Sequence, residues 1–145
     1  MRSVSNRFWL KWLTVATVAL VVFGLALITA PAIARQGFSL LVYSSGDRIS
    51  EFGPDAVAYI ELAHAVMGAV MVGWGVALLL VMRGPMRRNL VEGLRIFAIS
   101  LLAWFIPDTI FSLASGFWQN AILNLVFAAL FAIPIAALYR GARHA

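Results

Sequence analysis

The sequence predicts an all-α fold, a bundle of four transmembrane helices with both termini in the cytoplasm. Of the 145 residues, 63% are hydrophobic and only 12% are charged, and the mean hydropathy of +0.93 lies far above that of a soluble domain. Four apolar stretches can each cross a hydrocarbon core of about 30 Å, which takes about 20 helical residues. They cover about residues 9–31, 57–82, 91–113 and 118–139. Because they use most of the chain, we expect a single integral membrane domain over residues 1–145.

The positions of the basic residues predict the orientation. They gather before the first span, between spans two and three and after the fourth span, and only Arg35 and Arg48 fall on the other side. This distribution is typical of cytoplasmic segments, so we expect a multi-pass protein of the cell inner membrane. The net charge of +5 then reflects topology and contact with lipid, and it indicates no nucleic-acid partner. The cytoplasmic group comprises Arg2, Arg7, Lys11, Arg83, Arg87, Arg88, Arg140 and Arg143.

The first span could be mistaken for a cleaved signal peptide, because basic residues precede an apolar run that ends in "ITAPAIA". Its run of about 20 residues is longer than the usual 7–15 residues of a signal peptide, so we interpret it as a retained span. Cleavage would leave three spans. Pro31 is expected to end or kink this helix.

The outer loop, residues 32–56, is the only long connection. Its piece "GFSLLVY" is too short to span, so it is expected either to lie in the membrane interface, to fold over the bundle as an ordered lid, or to form a plain surface loop. Asp55 could cap the second span.

Two further patterns concern helix packing. Ala65, Ala69, Gly73 and Ala77 recur every four residues of span two, which would let another helix approach closely, either within the bundle or in an oligomer. The connection between spans three and four is very short, so these two helices should form an antiparallel hairpin.

The strongly polar residues of the spans share one depth. Span two starts on the outer side, so at 1.5 Å per residue Glu61 and His64 would lie roughly 6–11 Å inside the boundary. Span three runs outward and span four runs inward, which brings their polar residues to a similar depth. We call this set the polar layer, and it comprises Glu61, His64, Asp108, Asn120 and Asn124, with Thr29 and Ser112 at or just above it.

Spacing within the polar layer is helical. Glu61 and His64 are three residues apart, and Asp108–Ser112 and Asn120–Asn124 are each four apart, so each pair faces one direction from its helix. Charged groups in hydrocarbon usually face the bundle interior and pair with one another. We therefore expect a polar site that opens toward the outer face.

Several functions could use such a site. The preferred one is a non-enzymatic accessory protein or a binder of lipophilic ligands, with Asn120, Asn124, Ser112, Trp74 and Trp104 as ligand-binding candidates. A second is an isomerase- or cyclase-like membrane enzyme in which Glu61, His64 and Asp108 perform acid–base chemistry on a lipophilic substrate. A third is an oligomeric transporter or channel subunit.

Three other uses of the polar layer stay open. Glu61, His64 and Asp108 could bind one zinc or iron ion, and His64 could bind haem, although the only other histidine, His144, lies in the tail. The groups could also simply hydrogen-bond across helices and hold the bundle together. The chain has no cysteine, which excludes disulfides, thiolate metal sites and thiol catalysis. The sequence leaves the cofactor unknown, and the expected partners are the bilayer, a lipophilic molecule, a second copy or a membrane complex.

Two stretches, "WFIPDTIFSLASGFWQNAILNLVF" and "GAVMVGWG", carry a resemblance. Together they resemble a family of small, uncharacterised bacterial four-span integral membrane proteins, over spans two to four. The resemblance implies a bacterial inner-membrane location and a four-helix architecture, and it implies no activity.

Overall fold

The computed structural model describes the backbone of residues 4–143 and the side chains of residues 6–143, and Arg2 and His144 lie outside these ranges. Most of the described chain is helical, and residues 4–143 contain no strand. A short 3-10 helix, Arg48–Phe52, precedes the third of the α-helices. The α-helices are α1 (Val4–Thr29), α2 (Pro31–Tyr43), α3 (Pro54–Arg83), α4 (Pro85–Arg88), α5 (Leu90–Ala114) and α6 (Trp118–Arg143).

Four helical segments are long and apolar enough to cross a membrane, which confirms the predicted all-α fold with four spans. Their large apolar side chains are widely exposed, with Val15, Val70 and Ile110 at 67%, 66% and 62%. Such surface is stable only against lipid or another apolar partner. The four segments are Asn6–Thr29, Pro54–Arg88, Leu90–Ala114 and Trp118–Arg143.

The described chain divides into two compact units. Unit 1 comprises residues 4–18 and 77–143, and unit 2 comprises residues 19–76. Helices α1 and α3 each continue from one unit into the other. The expectation of one integral domain stays a prediction.

In unit 1, helices α5 and α6 form the predicted hairpin. Residues 115–117 connect them through a Schellman turn, in which Phe117 N–H donates to the Ser112 carbonyl (2.8 Å) and Gly116 N–H donates to the Leu113 carbonyl (3.1 Å). The turn needs a positive φ at Gly116, which adopts +82°, a conformation that glycine reaches at little cost. The hairpin packs around the buried side chains of Leu94, Phe97, Leu101, Phe131 and Leu138.

The N-terminal part of α1 is tied to α6 at a proline. Pro134 lacks an N–H, so the carbonyl of Leu130, four residues earlier, loses its usual helical donor. The indole Nε1–H of Trp12 donates to this carbonyl at 3.0 Å. A side chain of α1 therefore supplies the hydrogen bond that the α6 backbone cannot make, which is how a membrane helix tolerates an internal proline.

In unit 2, helices α1 and α3 are in contact at two glycines, one on each helix. A Cβ added at Gly24 would lie 2.6 Å from the Gly68 carbonyl oxygen, and one added at Gly68 would lie 2.4 Å from the Gly24 carbonyl oxygen. Only hydrogen fits at these two positions, so the backbones are in direct contact. The small-residue stripe that the sequence predicts on this helix does not form the contact within unit 2, because Ala69 is exposed and Gly73 has open space around it.

The long connection of unit 2 is ordered and largely helical. Helix α1 ends at Thr29, Ala30 breaks the helical geometry with φ −132° and ψ 59°, and Pro31 begins α2. Of the three forms expected for this connection, a plain surface loop does not describe it. The following helix α3 begins at Pro54, so Asp55 lies in its first turn, where a carboxylate is favoured by the helix dipole.

Ser39 closes this connection onto itself. Its buried hydroxyl donates to the Ser45 carbonyl (2.6 Å) and accepts from Ile49 N–H (3.2 Å). Tyr43 and Phe52 add an edge-to-face ring contact with centroids 5.9 Å apart. These contacts fasten the 3-10 helix to α2 without using any group of α1 or α3.

Candidate functional site

In unit 2, Glu61 forms an ion pair with an arginine from the long connection. The Arg35 guanidinium lies 3.4 Å from Glu61 Oε1, and the side chains are 20% and 29% exposed, respectively. An arginine is always charged, and its fork of donors matches a carboxylate. Helix α2 therefore brings the neutralising partner for the carboxylate that the sequence places in an apolar helix.

One turn further along both helices, His64 packs on an aromatic ring. Phe38 and His64 are stacked, with ring centroids 4.5 Å apart and planes inclined by 19°. Two buried nitrogens of this α2–α3 contact, Arg35 Nε and His64 Nδ1, have no hydrogen-bond partner among the described residues. Buried polar atoms are rarely left without a partner, so each one points to a specific role. We call Arg35, Phe38, Glu61 and His64 the α2–α3 site.

The glycine contact fixes the level of the α2–α3 site along α1. A Cβ added at Gly68 would meet Leu27, which follows Gly24, and a Cβ added at Gly24 would meet Met71, which follows Gly68. Because each Cα–Cβ bond tilts toward the N-terminus of its own helix, this reciprocal pattern means that α1 and α3 run in opposite directions. Thr29, five residues beyond Gly24, is therefore roughly level with His64, four residues before Gly68. The α2–α3 site thus lies beside the end of α1.

In unit 1, three polar residues meet across the α5–α6 hairpin. The Asn120 side-chain Nδ2 donates to Ser112 Oγ (2.8 Å) and to Asp108 Oδ1 (3.3 Å). The Ser112 hydroxyl donates to the Asp108 carbonyl at 2.7 Å. The Schellman turn sets this register, since it places the last turn of α5 beside the first turn of α6. We call these residues the hairpin cluster.

Asn124 lies one turn further along α6 and has a different partner. It is 3% exposed, and its Nδ2 donates to Thr109 Oγ1 at 3.4 Å. The two tryptophans proposed as ligand-binding residues are both half-buried, Trp74 on α3 and Trp104 on α5.

The predicted polar layer thus divides between the two units. Glu61 and His64 belong to unit 2, and Asp108, Ser112, Asn120 and Asn124 belong to unit 1. Within residues 4–143, no three His, Cys, Asp or Glu side chains are grouped so that they could hold a metal ion. The catalytic, ligand-binding and metal roles of the individual residues stay predictions.

Sequence reasoning missed Arg35, Phe38 and Thr109. A signal for the first two was present, since they are three residues apart on one face of "ARQGF", matching the spacing of Glu61 and His64. Thr109 gave little signal, because a threonine in an apolar helix usually bonds its own backbone. No protein-family model, curated protein or solved structure matches the chain.

Proposed function

We propose that this membrane protein is a non-enzymatic accessory protein that binds a lipophilic molecule at the α2–α3 site. The observation that carries the proposal is the pair of buried nitrogens, Arg35 Nε and His64 Nδ1, that lack a hydrogen-bond partner among the described residues. Leaving such a group unpaired costs about 1–3 kcal/mol. A ligand oxygen that reaches these atoms would recover that free energy.

The chemistry of the α2–α3 site favours an uncharged polar head. The charges of Arg35 and Glu61 offset each other across 3.4 Å, so an ionic ligand would meet no uncompensated charge. The Arg35 Nε–H needs an acceptor, and His64 Nδ1 is a donor or an acceptor according to its tautomer. A carbonyl or hydroxyl oxygen on a lipophilic body meets both needs, and the stacked Phe38–His64 rings offer it an apolar edge.

The carboxylates proposed for catalysis are already engaged by neighbouring donors. Glu61 faces the Arg35 guanidinium, and Asp108 accepts from Asn120. A general base needs a lone pair that can reach the substrate proton. These contacts support a binding or structural use of both groups over proton transfer.

We further propose that the protein is a bacterial inner-membrane protein with both termini in the cytoplasm. The support is the excess of basic residues on one side of the spans. Only two arginines, Arg35 and Arg48, lie in the long connection on the other side, and the positive-inside rule counts lysines and arginines rather than net charge. Reporter fusions at both termini test this topology, and a periplasmic signal from either terminus would contradict it.

Ligand binding can be tested on protein extracted with its surrounding lipid into polymer-bounded nanodiscs. Small molecules released from the purified wild-type protein are compared by mass spectrometry with those of the bulk membrane. We expect one neutral, oxygen-bearing lipophilic species to be enriched in the wild type and lost in His64→Leu, which removes the unpaired nitrogen.

Thr109→Val serves as the matched control, because it removes a side-chain hydrogen bond of unit 1 and leaves the α2–α3 site intact. It should retain the enriched species. Absence of any enriched species from the wild type, or equal amounts in all three proteins, would refute the proposal.

A further inference from the structure

We propose that α2 lies along the membrane boundary as an amphipathic helix and presents its exposed face to the acyl chains of the lipids. This inference concerns a surface on the far side of α2 from the α2–α3 site, and it stands whether or not that site binds a ligand. It depends on the depth of α2, on the division of its two faces and on the charges that follow it.

The depth of α2 follows from the end of α1. The helix α1, which is long and apolar enough to cross a membrane, ends at Thr29, and α2 begins at Pro31 after the break at Ala30. Arg35 and Phe38 contact Glu61 and His64, and His64 is roughly level with Thr29. Helix α2 therefore stays close to the level at which α1 leaves the hydrocarbon, instead of projecting into solution.

The two faces of α2 differ in their surroundings. Arg35 and Phe38 contact α3, and Ser39 is 0% exposed. The opposite face carries Ile33, exposed to 71%, and Leu40, exposed to 60%, seven residues and two turns apart. The face of α2 that carries Arg35 packs against α3, and the apolar face points away from α3.

The residues after α2 mark the aqueous side. Asp47, Arg48 and Glu51 are all exposed, and they lie in the segment that Ser39 fastens to α2. Tyr43 and Phe52, 41% and 44% exposed, form a ring pair that joins the end of α2 to the end of the charged 3-10 helix. Exposed aliphatic residues with aromatic rings and charged residues nearby are the composition typical of a membrane interface.

Lipid is the occupant that these observations favour. The last two turns of α1 also expose apolar side chains, with Leu25 and Ile28 at 45% and 39%, on a helix that is long and apolar enough to cross a membrane. At 13 residues, about 20 Å of helix, α2 is too short to span. A short helix with one apolar face at this level buries that face by resting on the acyl chains.

Fluorescence quenching can test this placement, because the natural sequence has no cysteine and each introduced cysteine is unique. Ile33→Cys and Leu40→Cys are labelled with a small environment-sensitive fluorophore and reconstituted into vesicles. Quenching is measured with lipids carrying a nitroxide high or low on the acyl chain and with aqueous iodide. Ser50→Cys, at an exposed position among the charges of the 3-10 helix, is the matched control.

We expect the labels at positions 33 and 40 to be quenched several-fold more by the shallow nitroxide than by iodide, and the label at position 50 to show the reverse. Equal iodide quenching at positions 33, 40 and 50 would place α2 in water and overturn the proposal. Protection of positions 33 and 40 from both quenchers would also overturn it, since it would mean that a protein partner or a second copy covers the face.

Discussion

The hydrogen bond from Trp12 to the Leu130 carbonyl makes a quantitative prediction, because its need arises from one identified residue. Pro134 removes the backbone donor that Leu130 would otherwise have, and the indole N–H replaces it at 3.0 Å. Trp12→Phe keeps an aromatic ring and deletes the donor. The carbonyl is then left without a partner in an apolar environment, and we expect the free energy of unfolding to fall by about 1–3 kcal/mol.

The same deletion should matter less once Pro134 is replaced. In Pro134→Ala the backbone N–H of residue 134 can donate to Leu130, so the indole becomes redundant. The Pro134→Ala change also leaves space where a buried ring was, but that cost appears in both arms of a double-mutant cycle and cancels. We therefore expect a coupling free energy on the order of 1 kcal/mol between positions 12 and 134.

The measurement is reversible unfolding of the four proteins in mixed micelles with increasing denaturing detergent, followed by far-ultraviolet circular dichroism, which does not depend on the deleted tryptophan. A contrary result would be that Trp12→Phe lowers the free energy of unfolding equally, within about 0.3 kcal/mol, in the wild type and in Pro134→Ala. That result would mean that the Leu130 carbonyl does not need the indole. The explanation of how α6 tolerates Pro134 would then be wrong.

Further predictions concern other contacts. Gly68→Ala places a Cβ 2.4 Å from a carbonyl oxygen and should lower the free energy of unfolding by about 1–3 kcal/mol, as core overpacking does. Gly73→Ala, on the same helix with open space, should be neutral or stabilise by up to about 1 kcal/mol, and equal effects would refute the backbone contact. Asn120→Leu leaves the Asp108 carboxylate without its α6 donor and should destabilise by about 1 kcal/mol, whereas an unchanged curve would mean that the hairpin cluster contributes nothing. Ser39→Ala should speed proteolysis after residue 44 in intact vesicles, because both bonds of its hydroxyl are lost, and unchanged proteolysis would contradict that role. The mature protein should retain α1, measured as intact mass, since this helix packs in both units; a mass that lacks it would contradict the interpretation of the first span.

The four spans could be predicted because membrane insertion depends on the summed hydropathy of about 20 residues, which needs no knowledge of neighbours. The meeting of Asp108 with Asn120 was also within reach, since a very short connection forces the end of one helix beside the start of the next. Both predictions rest on local properties of the chain, its hydropathy in the first case and the length of a connection in the second, which the sequence specifies directly.

The α2–α3 contact could not be derived in the same way. The spacing of Arg35 and Phe38 indicates one helical face, but it does not say which helix that face meets. The small-residue stripe meets a related difficulty: the close contact within unit 2 uses Gly68, and the use of the stripe in an oligomer stays a prediction. Small side chains permit close approach, and the choice of Gly68 over Gly73 depends on how α1 is turned, which only the assembled unit determines.

The contact between Gly24 and Gly68 limits how unit 2 can move. A slide of α1 along α3 that carries Leu27 toward Gly68 and Met71 toward Gly24 would drive these side chains against backbone that now has room only for hydrogen. Shear of the two helices in that direction is therefore blocked. Rotation at the break between Thr29 and Pro31, where no rigid helix joins the two sides, needs no such slide.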